Sequence, residues 1–101
     1  MAASLKRINE KFLKLVRETP AGDTAPQLKR RAAILVGLGR DFFIISQMFK
    51  NEGNVEEACR CYETACRLYR EAIGLCERAN AHHLVERYER ELRVLEEDYK
   101  P

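Results

Sequence analysis

Two amphipathic helical patterns meet at Glu52-Gly53-Asn54, inside the stretch FFIISQMFKNEGNVEEACRCYETACRLYREAI that runs from Phe42 to Ile73. Gly53 suits the left-handed residue that follows a helix, and Asn54 suits the cap of the next one, with Glu56 and Glu57 placed for its first turn. After the turn, Ala58, Ala65 and Ala72 recur at i, i+7 and i+14. Small side chains at that spacing keep one groove of a helix shallow, so a neighbour can dock closely. The stretch therefore predicts two antiparallel helices packed at short range.

The same patterning extends over the rest of the chain. Ser4 can cap a first helix over about 5–18, with Leu5, Ile8, Phe12, Leu15 and Val16 on one stripe and Lys6, Arg7, Lys11, Lys14 and Arg17 largely off it. Thr19-Pro20-Ala21-Gly22-Asp23 reads as a loop, and Thr24 as the next cap, with Pro26 in the first turn. A second helix is expected over about 26–51, apolar around much of its circumference and so contacted on more than one side. Its Gly37 and Gly39 each cost about 1 kcal/mol relative to Ala; close approach of the first or fourth helix, or a bend, would explain them. A third helix over about 54–79 ends where Asn80 breaks the pattern. A fourth, over about 82–98, carries Val85, Tyr88, Leu92, Leu95 and Tyr99 on its inner stripe. The predicted fold is all-α, an antiparallel bundle of three to four helices in one domain spanning 1–101.

Composition narrows the class. Residues 1–51 hold ten Lys/Arg against four acids, and residues 52–101 eight against twelve, so the net charge of +2 hides halves of +6 and −4. Opposed signs favour antiparallel packing or present two differently charged faces to partners. A nucleic-acid binder would be more lopsided, so that partner is disfavoured. The four cysteines (59, 61, 66, 76) fall within one helix, where rigid spacing keeps them from pairing with one another. They fit a reducing, cytoplasmic setting in which Cys serves as a small apolar residue. No signal-peptide core is visible. The apolar run Ala32–Leu38 is cut by Arg40-Asp41, short of the ~20 residues of a membrane span.

Phe42, Ile45, Ser46 and Phe49, followed by Ala58, Tyr62 and Ala65, resemble one tetratricopeptide unit. The terminal proline expected near Arg70 is absent, however, the helix continues for two more turns, and no second repeat follows. Gly53-Asn54-Val55-Glu56-Glu57-Ala58, then Tyr62 and the long run to Ala79, resemble the G-N-Y-E-E-A turn and long second helix of the MIT (microtubule-interacting and transport) domain. Among such domains the chain is most similar to the MIT-like N-terminal domains of endosomal deubiquitinases. The resemblance covers residues 26–98, with residues 1–19 as an extra N-terminal helix; Arg90-Glu91-Leu92-Arg93 only loosely echoes the family's third helix. It implies a three-helix core and a groove that takes the tails of membrane-remodelling, ESCRT-III-type proteins.

Cys59 and Cys66 share a helical face and His82-His83 lie beyond its end, but C-x-C on a helix lacks the spacing of a zinc pair. His82 and Glu86 stand one turn apart without a recognisable nucleophile or a phosphate-cradling loop. No cofactor, metal site or enzymatic activity is expected. The basic side of helix 5–18 could touch an acidic membrane peripherally, yet it reads better as a structural cover. On the last helix, Leu84 and Val94 with Arg87, Arg90 and Arg93 form the candidate partner-binding site, an apolar pair ringed by arginines. The expected function is protein binding, with a helix or peptide tail of a partner received in an inter-helix groove. The alternatives are a structural homo-oligomer built on helix 5–18 or the wide face of helix 26–51, and a small metal-binding or membrane-surface protein.

Overall fold

The structure is a computed structural model that describes Lys6, Glu10, Leu13 and residues 22–99. Three helices follow one another: α1 (Ala25–Asn51), α2 (Val55–Arg78) and α3 (His82–Tyr99). No strand occurs among the described residues. The molecule is the expected all-α bundle, and each helix end lies within one residue of its expected place. The helix expected over about 5–18 falls outside the described residues, apart from Lys6, Glu10 and Leu13, which are helical and exposed.

The turns follow from the residues that occupy them. Gly53 has φ +83°, and the amides of Gly53 and Asn54 reach back to the carbonyls of Lys50 (3.1 Å) and Phe49 (2.9 Å). That double closure satisfies carbonyls the end of α1 would otherwise leave free. Asn54 Oδ1 then accepts the Glu57 amide at 3.3 Å, opening α2. The second turn repeats the device. Asn80 takes φ +55°, and the amides of Asn80 and Ala81 donate to Glu77 O (3.0 Å) and Cys76 O (2.9 Å). Asn is one of the few residues other than Gly that visits this conformation readily. At the start of α1, the Thr24 amide and hydroxyl both donate to Gln27 Oε1, at 3.3 and 2.8 Å.

The predicted hairpin is α1 against α2. Ala58, Ala65 and Ala72 are fully buried, and a Cβ added at Gly39 would sit 2.9 Å from the Tyr69 ring. Gly39 therefore marks close approach, but to α2 rather than to the first or fourth helix that the sequence suggested. Among the described residues none lies within 4 Å of a Cβ placed at Gly37. α3 closes the bundle and runs parallel to α1, joined to it by the pairs Arg40–Glu91 and Lys50–Tyr99, which stand 51 and 49 residues apart.

Two apolar clusters result. One joins all three helices through Val36, Cys66, Tyr69, Ile73, Cys76, Tyr88 and Leu92. The other joins Leu38, Phe42, Ile45 and Phe49 of α1 to Ala58, Cys61, Ala65 and Leu68 of α2. Near the far end of the bundle the Tyr62 and Tyr99 rings stack at 3.9 Å, while Lys50 Nζ lies 4.8 Å above the Tyr99 ring and donates to the Tyr99 carbonyl at 2.7 Å.

Candidate functional site

The parallel pair α1 and α3 forms a groove with a polar floor. Glu91 sits where the three helices meet, accepting Arg40 Nη2 on both oxygens (2.7 and 2.9 Å) and the Tyr69 hydroxyl at 3.2 Å. The bond to Glu91 raises the Arg40 pKa above its ordinary value, and burial, followed by the charge of Glu91, pushes the Tyr69 phenol up to about 12. Both groups thus hold their protons over the whole physiological range, and the floor is a fixed set of charges and donors.

The walls above this floor are apolar and open. Ile44 and Met48 of α1 are 58% and 46% exposed, and Val94 of α3 is 49% exposed. Because residues about 50 apart stand level on these two helices, Ile44 is level with Val94, a turn beyond the Arg40–Glu91 pair. α1 carries Lys29, Arg30, Arg31, Arg40 and Lys50 against Asp41 alone, a balance of +4, whereas α3 has a balance of −3. Opposite charge on neighbouring parallel helices accounts for the Arg40–Glu91 contact.

The five residues expected to form a site on the last helix are divided by the structure. Val94 stands on the groove rim, and Arg87 leans toward its floor, 3.8 Å from Glu91. Arg90 and Arg93 are exposed about 100° and about 160° around α3 from Glu91, on its outer side. Leu84 is half-buried and packs against the three-helix core, so it does not pair with Val94 on one surface. In the sequence Ile44 and Met48 read only as residues that widen the apolar face of this helix, not as site residues. Their signal was the excess width of the apolar face of α1, which exceeded what a single neighbour could cover. Next to them Ala33, Ile34, Gly37, Leu38, Arg40, Asp41 and Ile44 line a shallow open cavity of about 510 Å³.

The cysteines and histidines do not converge. Cys59 is exposed, and its thiol is held protonated by a 3.5 Å bond to Glu63. Cys61, Cys66 and Cys76 are buried, and burial pushes each thiol up. His82 and His83 are exposed at the start of α3. Among the described residues no three His, Cys, Asp or Glu are grouped to hold a metal ion. By length and composition α1 is apolar enough to cross a membrane, with a mean hydropathy of 1.4 over its best window, because the average absorbs the interruption at Arg40-Asp41; 44% of that window is buried in the bundle.

The fold is an all-α helical bundle whose first and third described helices are joined by the Arg40–Glu91 pair, with Ile44, Met48 and Val94 exposed on those two helices. Compared with protein families, with curated proteins and with solved structures, the chain matches none.

Proposed function

We propose that this chain is a non-enzymatic protein-interaction module of the MIT type, which receives a helical or extended peptide of a partner in the α1/α3 groove. The observation that supports it most is the level placement of Ile44 and Val94, both about half exposed, above the fixed Arg40–Glu91 floor. Isolated apolar side chains on a surface are ordinary, but exposed ones at one level on two neighbouring helices, with Met48 a turn beyond Ile44, offer anchors at helical spacing. Binding energy comes from burying Ile44, Met48 and Val94, at roughly 25 cal/mol per Å² of apolar surface. Arg87 and the basic surface of α1 orient an amphipathic ligand with acidic flanks. The resemblance of the Gly53–Ala58 turn to MIT domains supports an ESCRT-type trafficking role in the cytoplasm.

The test is a titration with a synthetic amphipathic peptide that carries leucines on one face and glutamates on the other. Binding that is lost in both Ile44→Asp and Val94→Asp, each still folded by circular dichroism, supports the groove. Binding unaffected by either substitution contradicts it. A second reading, a homo-oligomer, draws on the cavity around Gly37, where small residues would admit another helix closely. Light scattering separates the two, since a monomer across the micromolar range removes the oligomer.

A further inference from the structure

Two guanidiniums share the Glu91 carboxylate. Arg40 Nη2 of α1 reaches Glu91 Oε1 at 2.7 Å, and Arg87 Nε of α3 approaches the same oxygen at 3.8 Å. The second distance is too long for a hydrogen bond, so charge alone draws Arg87 inward and its fork of donors stays open to another acceptor. Glu91 is engaged from below as well, because its other oxygen accepts the Tyr69 hydroxyl at 3.2 Å. Its side chain is 28% exposed, whereas those of Arg40 and Arg87 are 49% and 65% exposed. One carboxylate against two guanidiniums leaves a positive charge at the surface. The acids next in sequence, Asp41 and Glu86, each lie about 100° around their helix from the adjacent arginine, on the side away from the other helix. Arg40 also borders the open cavity over Gly37, which leaves room for an incoming side chain.

We infer that Arg40 and Arg87 together form a carboxylate subsite, which receives one Asp or Glu side chain of the partner peptide. The inference rests on the reading of the α1/α3 surface as a peptide site and fixes where on the ligand the acid stands. Arg40 and Ile44 occupy successive turns of α1, about 40° apart, and Arg87 and Val94 lie within about 20° of one another on α3. The bound acid is therefore set one helical turn from the apolar side chain that packs on Ile44 and Val94. Because both arginines reach one oxygen, their nitrogens stand no farther apart than the sum of the two distances. A carboxylate that accepts one donor on each oxygen spans that gap. Exposed ion pairs are ordinarily weak, since both side chains lose freedom when they meet. Here Glu91 already fixes Arg40, and a second guanidinium stands beside it, so the ligand finds its donors preorganised. Glu91 is at the same time a built-in rival, because its negative charge lies next to the incoming one.

The test uses three helical peptides with a leucine face and glutamine or alanine elsewhere, titrated into the full chain. Each carries a single glutamate, placed one turn before the central leucine, one turn after it, or on the opposite face. One of the first two, according to the direction in which the peptide lies, is predicted to bind about three- to tenfold more tightly than the third. Arg87→Ala removes that preference. Glu91→Gln, whose amide oxygen still accepts from Tyr69, enlarges it by about threefold, whereas a merely structural role would weaken all three peptides alike. Equal affinity for the three peptides, with binding still lost in Ile44→Asp, overturns the subsite and leaves the groove standing. A preference that survives Arg87→Ala, or that shrinks in folded Glu91→Gln, also overturns the subsite. Should Glu91→Gln unfold, Arg87→Ala alone decides. Binding of none of the peptides, or binding indifferent to Ile44→Asp, overturns the groove reading and the subsite with it.

Discussion

The Tyr69 hydroxyl of α2 donates to Glu91 of α3 across 3.2 Å, and Arg40 of α1 binds the same carboxylate at 2.7 Å. One side chain thus ties three helices together. Tyr69 is 1% exposed, so its hydroxyl has no ready route to water if Glu91 is removed. Leaving a buried donor unpaired costs about 1–3 kcal/mol, whereas deleting both partners costs less than the two single losses combined.

Glu91→Ala is therefore predicted to lower unfolding stability by about 1–3 kcal/mol, and Tyr69→Phe by about 1 kcal/mol. Urea denaturation of the two single variants and the double variant gives the coupling. Strict additivity would mean that the hydroxyl and the carboxylate do not act as a pair.

The two glycines inside α1 should respond in opposite directions. Gly39→Ala drives a methyl group to 2.9 Å from the Tyr69 ring and 3.3 Å from the Ala65 carbonyl oxygen. It is expected to destabilise by about 1–3 kcal/mol, as overpacking does. Gly37→Ala meets nothing within 4 Å among the described residues and should gain up to about 1 kcal/mol from helix propensity. Equal effects of the two substitutions would count against close packing of α1 on α2.

Alkaline pH should weaken the fold before mild acid does. Burial raises the thiols of Cys61, Cys66 and Cys76 above their ordinary 9.0, and the Tyr69 phenol from 10.0 to about 12. The fold favours the neutral form of each. Their contribution is fully present below the unfolded-state values and is lost as pH climbs toward the folded ones, because the unfolded chain gives up its protons first. The urea midpoint is predicted to fall from about pH 9 upward, and Tyr69→Phe should flatten the part of that fall above about pH 10. A midpoint that holds constant to about pH 11 would contradict the burial of these groups.

The hairpin was legible in the sequence because its cues are local. Gly53, Asn54 and the alanines at 58, 65 and 72 each state a backbone or packing requirement within a few residues. The floor of the groove was not, because Arg40, Tyr69 and Glu91 are far apart in the chain and each alone reads as an ordinary surface or core residue. Val94 was marked by its place off the apolar stripe. Leu84 shared that mark, yet it is drawn into the core because α3 begins tightly against Cys76 through the Ala81 amide. Ile44 widens the apolar face of α1, but periodicity alone cannot tell which side of a widely apolar helix remains uncovered.

Substitutions at the groove rim should separate binding from stability. Ile44, Met48 and Val94 are about half exposed, so Ile44→Asp or Met48→Asp should shift stability by no more than about 0.5–1 kcal/mol. Phe42→Ala, two residues from Ile44 but buried on the opposite side of α1, should cost about 3–5 kcal/mol. Thermal denaturation of the three variants side by side checks this contrast. A rim substitution as damaging as Phe42→Ala would place that residue in the core.

The most direct measurement of the interaction claim is the amide NMR spectrum of the labelled full chain, titrated with the leucine–glutamate amphipathic peptide. Binding in the α1/α3 groove predicts saturable shifts centred on Gly37–Met48 and Arg87–Asp98, with α2 residues 56–64 little changed. Shifts that fail to saturate, or that gather on α2 and spare both Ile44 and Val94, would contradict it.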